Sequence, residues 1–131
     1  RMPQHRRRDQ AGPAAVSIRG RVVDLVIIES PYAGDVERHT RYVRAAMADC
    51  IARGEAPYAS HALYTQPGVL RDDIDTERSL GIAAGFEWAS VAAFRAVYTD
   101  CGISRGMRAG IDHARAIGQP VHYRKIEGWT P

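Results

Sequence analysis

Apolar residues in this chain alternate between two patterns. Short β-branched runs are separated by stretches in which apolar positions recur with helical spacing. The run Val22-Val-Asp-Leu-Val-Ile-Ile28 predicts a buried strand, ended by the turn-forming Ser30-Pro31-Tyr32-Ala33-Gly34. Asp35 then stands where a helix N-cap is needed. Val36, Thr40, Val43, Met47, Cys50 and Ile51 predict one helix face, and Gly54 is its stop. Ala56 to Ser60 predicts a second strand. From His61 to Asp75 no period is visible, so the reading there is a long loop, a common place for binding residues. A second helix is predicted from Asp75 or Thr76 to about Ala92, with Phe86 and Trp88 in the core. Phe94–Thr99 predicts a third strand. Ser104 caps a third helix with Met107, Ile111, Ala114 and Ile117 inward, and Gly118 stops it. Val121–Tyr123 predicts a fourth strand.

This strict alternation of strand and helix predicts an α/β domain, a doubly wound (Rossmann- or flavodoxin-like) parallel sheet of order 2-1-3-4 with three helices. Strands 1 and 3 are then neighbours whose helices leave on opposite faces. Ligands bind at such a switch point, here between the Ser30–Gly34 and Asp100–Gly106 loops.

Composition narrows the classes. A chain of 131 residues, 45% hydrophobic and 25% charged, is the size and balance of one globular domain, taken as residues 19–131. No apolar run approaches the roughly 20 residues of a membrane helix, and the basic N-terminus lacks the apolar segment of a secretory signal. Cys50 and Cys101 give neither a disulfide framework nor metal-ligand spacing. A cytoplasmic protein without metal or cofactor is expected. The net charge of +3 is mild, and Lys125 is the only lysine. Arg6, Arg7 and Arg8 form a small basic cluster in a stretch, residues 1–18, read as a disordered tail. Nucleic acid is not an expected partner, because its binders carry a denser basic stripe.

The two switch-point loops carry the candidate chemistry. Ser30, Pro31, Tyr32 and Gly34 combine small residues, which let a ligand approach the backbone, with an aromatic ring able to stack on a base. Ser104, Arg105 and Gly106 open a helix, where free N–H groups and the helix dipole favour an anion. Arg105 in a first helical turn opposes that dipole, which a bound anion offsets. His61, following strand 2, is placed to bond a sugar or a phosphate. Asp72, Asp73 and Asp75 read as a solvated acidic loop.

In their order and spacing these motifs, with Ala59-Ser-His61 and Gly118-Gln-Pro-Val121, resemble the nucleoside 2-deoxyribosyltransferase group, including its nucleotide N-glycosidases, over residues 22–124. The stretch from Ser30 to Arg124 is also similar to an uncharacterised family of short actinobacterial and phage proteins. The resemblance implies a nucleoside or nucleotide ligand and a homodimer. Ser30 and its loop would line the sugar-phosphate site, His61 would touch the ligand, and Ser104 and Gly106 would hold the phosphate. It also implies two acids that this chain lacks. Gly110 stands where the group has its nucleophilic Glu, and Gly85 where it has an Asp; Glu29 occupies a position usually small. Glu29 and Glu87 are the carboxylates placed to compensate. The alternatives are an enzyme acting on an N-glycosidic bond with relocated carboxylates, a non-catalytic nucleotide sensor or sequestering protein, and a basic protein whose Arg tail meets nucleic acid or a partner.

Overall fold

The computed structural model describes residues 15–18 and 20–131. Two strands open the chain, β1 (Ala15–Ile18) and β2 (Arg21–Glu29), followed by α1 (Val36–Ala52) and β3 (Ala56–Tyr58). Then come the single-turn α2 (Ser60–Leu63), α3 (Asp75–Ala89), β4 (Phe94–Tyr98), α4 (Arg105–Ala116) and β5 (Val121–Arg124). The four parallel strands run in the order β3-β2-β4-β5, the 2-1-3-4 sheet expected from the alternation, with three long helices.

Three local features differ from the sequence reading. Ala15–Ile18, within the stretch read as a tail, is a strand paired antiparallel with Arg21–Asp24 around Gly20 at φ 76°. The rest of that reading, residues 1–14 with the Arg cluster, lies outside the described residues. The loop expected after strand 2 begins with the α2 turn. Trp88, expected in the core, is 55% exposed, and Ile117, Val36 and Ile51, expected on inner helix faces from their spacing, are exposed too. The inner face of α1 is instead Tyr42, Val43, Ala46 and Cys50, because the helix is rotated slightly from the phase chosen.

The caps follow local chemistry. Asp35 accepts from the Arg38 N–H at 3.2 Å at the start of α1, and Ser104 accepts from the Met107 N–H at 3.2 Å at the start of α4. Both satisfy backbone donors left open by a helix N-terminus.

Period-two alternation divides β2 and β4 between two layers. Val26, Ile28, Phe94, Ala96 and Tyr98 face α1 and form the larger core cluster. Ile27 packs with Ala89 and Ala92 on the other face, and Val97 with Met107 and Ile111 of α4. By the same alternation Glu29 and Arg95 lie on the face covered by α3 and α4. The ladder pairs Ile27 with Arg95 and Glu29 with Val97, so the acid and the base sit on adjacent strands of that face. Among the described residues no helix is long and apolar enough to cross a membrane.

Candidate functional site

A cavity of about 180 Å³ opens at the carboxyl end of the sheet, between the loop after β2 and the start of α4. Glu29, Ser30 and Tyr32 enter from β2 and its loop, His61 from α2, and Ser104, Arg105 and Gly106 from the start of α4. Seven residues singled out in the sequence thus converge on one crevice. Three do not line it. Pro31 is buried within the loop, Gly34 is exposed at φ 90° where the loop turns into α1, and Glu87 is exposed on α3, outside the cavity lining.

Ser30 is buried, and its Oγ is hydrogen-bonded to His61 Nε2 at 2.7 Å. The imidazole lies deep although part of the residue reaches the crevice surface. Burial, with a contribution from the nearby His39, pushes its pKa down to about 4. His61 is therefore neutral at pH 7. His39 donates from Nδ1 to the Tyr32 carbonyl at 3.0 Å, which ties α1 to the loop carrying the aromatic ring.

Glu29 is the electrostatic centre of the crevice. Its side chain is 15% exposed. Burial pushes the carboxyl up to about 7, against the opposing effect of the Arg95 guanidinium. A Cβ built on Gly110 would collide with all three atoms of that carboxylate group, so the glycine is what admits it. Gly85 has a similar role: a Cβ there would lie 2.8 Å from Ser60 Oγ and 2.9 Å from Ser60 Cβ, so the glycine lets α3 close on α2.

Three charged side chains of the crevice are not among the site residues expected from the sequence. Arg95, 1% exposed, approaches Glu29 Oε2 with Nε at 3.4 Å. It donates from Nη1 to the Gly110 carbonyl at 3.0 Å and from Nη2 to His113 Nδ1 at 2.8 Å. A lone arginine in the apolar run Phe94-Arg-Ala-Val-Tyr98 was the available signal, since a buried charge needs a partner. Arg78 and Asp72, paired at 3.9 Å, line the cavity from α3 and the segment before it. The sequence groups Asp72 with the solvated acidic residues; the fold turns it inward, whereas Asp73 and Asp75 are exposed. A smaller cavity of about 60 Å³ adjoins the crevice between α2 and α3, sharing His61, Asp72 and Arg78.

The crevice offers a neutral hydroxyl–imidazole pair, a buried carboxyl group over a glycine, and a helix N-terminus beside the half-buried Arg78 and the exposed Arg105. Among the described residues no three His, Cys, Asp or Glu side chains gather as a metal site. Comparison with curated proteins and with solved structures gave no match. Residues 24–124 match the family model described as a domain of unknown function, DUF7768, and the chain belongs to that family.

Proposed function

We propose that the crevice binds a nucleoside or nucleotide and that the protein acts on its N-glycosidic bond, with Glu29 as the carboxylate at the anomeric carbon. The observation that carries this reading is the fit between Glu29 and Gly110. The resemblance to nucleoside 2-deoxyribosyltransferases calls for a carboxylate rooted at position 110. Here that residue has no side chain, and a carboxylate arriving from the end of β2 fills the space beside its Cα. The acid group is kept and its point of attachment has moved.

The chemistry follows from the transition state. As the bond from the anomeric carbon to the base nitrogen breaks, its electron pair leaves with the base, which takes a proton from solvent or an acid. The carbon becomes oxocarbenium-like, and an adjacent carboxylate stabilises or captures it. In hydrolysis, water adds its oxygen to that carbon, the carboxylate leaves with its electron pair where it has bonded there, and the proton of the water passes to the freed carboxylate or to solvent. Tyr32 would stack on the base, the Ser30–His61 pair would bond sugar hydroxyls, and the start of α4 with Arg105 would face a phosphate.

A second reading, binding without turnover, is favoured by one observation. Glu87 stands outside the crevice, and the remaining lining carboxylate, Asp72, is engaged with Arg78. A departing base then has no dedicated acid.

A thermal-shift screen of nucleosides and their mono-, di- and triphosphates tests the ligand class, since a ligand of the native state raises the melting temperature by mass action. Stabilisation by one of these compounds is the expected result. Stabilisation by none of them at millimolar concentration contradicts both readings.

A further inference from the structure

Arg95 is the one charged residue that is fully buried among the described residues. Taking a guanidinium out of water is costly, and apolar replacements of buried ion pairs are often neutral or stabilising. An arginine in the middle of β4 therefore has little justification in stability alone. Its geometry points elsewhere. Nη1 is fastened to the carbonyl of Gly110, the same residue against which the Glu29 carboxylate rests. Nη2 is fastened to His113 Nδ1, which as an acceptor leaves the imidazole neutral with its proton on Nε2. The His113 ring is stacked on Phe86 at 4.0 Å with an interplanar angle of 4°. The guanidinium is thus clamped to α4, and its remaining edge, Nε, has no hydrogen-bond partner and faces Glu29 Oε2 at 3.4 Å. That gap exceeds a charge-assisted hydrogen bond of about 2.7–2.9 Å. Arg95 anchors the carboxylate by charge without occupying it, and Glu29 still lines the cavity.

We propose that Arg95 is the positioning residue for Glu29, fixing where its carboxylate lies and in which charge state it meets a ligand. The proposal rests on the reading that Glu29 carries the chemistry of the crevice. The charges concerned come from four elements. Glu29 on β2 faces Arg95 on β4, Arg95 is held by His113 on α4, and His113 feels Glu87 on α3. Without the guanidinium, burial acts on Glu29 unopposed and favours its protonated form.

The test titrates the Glu29 carboxyl by carbon NMR in the full chain labelled at glutamate carboxyl carbons. Its signal is assigned by its loss in Glu29→Gln. In Arg95→Met the titration is expected to move upward by about one pH unit or more, and in Arg95→Lys by less. The acid limb of base release, measured in parallel, should move with it. Where Arg95→Met does not fold, Arg95→Lys carries the test, with the same direction expected. An unmoved titration in the folded variants overturns the positioning role, whatever the wild type does to a nucleoside. A moved titration in a protein that releases no base at any pH leaves the positioning role standing and removes the glycosidic reading.

Discussion

The Glu29 carboxylate lies against the Cα of Gly110, in the space where a side chain at position 110 would begin. A glycine in a helix interior ordinarily costs about 1 kcal/mol relative to alanine, so Gly110→Ala would normally stabilise. Here the Glu29 carboxyl group occupies the space the new methyl needs, and it would have to move off the Arg95 Nε that it approaches at 3.4 Å. We expect Gly110→Ala to destabilise by about 1–3 kcal/mol, the usual cost of overpacking. In the Glu29→Ala background much of that penalty should vanish, giving a coupling of about 1 kcal/mol or more in a denaturation double-mutant cycle. Additive effects would show that the two residues do not share this space.

Glu29 makes stability depend on pH in a defined direction. Its carboxyl is raised from the ordinary 4.5 to about 7, so the folded state holds a proton that the unfolded state releases. Stability from this group is fully present below the unfolded value and falls as pH rises towards the folded one. Glu29→Gln mimics the protonated acid. It should match wild type at about pH 5 and exceed it at about pH 8, by a margin on the order of 2–3 kcal/mol. Urea denaturation at both values checks this. Equal stability at the higher pH would place the carboxylate in a more solvated setting than the crevice provides.

His61 contributes the opposite slope. Its imidazole is held neutral down to about 4, whereas in the unfolded chain it protonates near 6.5. The unfolded state then binds more protons, and this part of the stability is lost as pH falls through that window. Nitrogen NMR of the ring should show the neutral form at about pH 5.5. An imidazolium signal there would mean that the hydrogen bond to Ser30 does not sit in a dry site.

Much of this arrangement was legible in the chain itself. The sheet order followed from alternation, and the caps Asp35 and Ser104 from their position before apolar periods. The convergence of Ser30, His61 and Ser104 followed from the switch point. What was not legible depends on rotation and register. Trp88 sits on α3 at a phase that only packing decides, Ile117 lies one residue past the end of α4, and both are exposed. The direction of Glu29 required knowing that it shares a face with Ile27. Arg95 was visible as an anomaly in an apolar strand, but its partners come from β2 and α4, distant in sequence. Asp72 lay in a stretch without period, where nothing local separates an inward acid from the outward Asp73.

The start of α4 should read a phosphate. Ser104→Ala removes the helix cap, at about 1 kcal/mol of stability, and Arg105→Ala removes an exposed charge. The double substitution should weaken a phosphorylated ligand at least tenfold more than its nucleoside, since hydrogen bonds to charged groups are worth about 1.5–3 kcal/mol each. Calorimetry with both ligands measures the difference. Equal losses would place the phosphate, if one is bound, elsewhere.

The proposed action of the Glu29 carboxylate on an N-glycosidic bond is open to a direct assay. Wild type and Glu29→Gln are incubated with a panel of nucleosides and nucleoside monophosphates, and free base is measured by chromatography. The wild type is expected to release base at a rate that rises with pH through the Glu29 titration near 7, and the variant to lose about a hundredfold or more of that rate. Undiminished release by Glu29→Gln would contradict it, as would no release from a substrate that the wild type clearly binds.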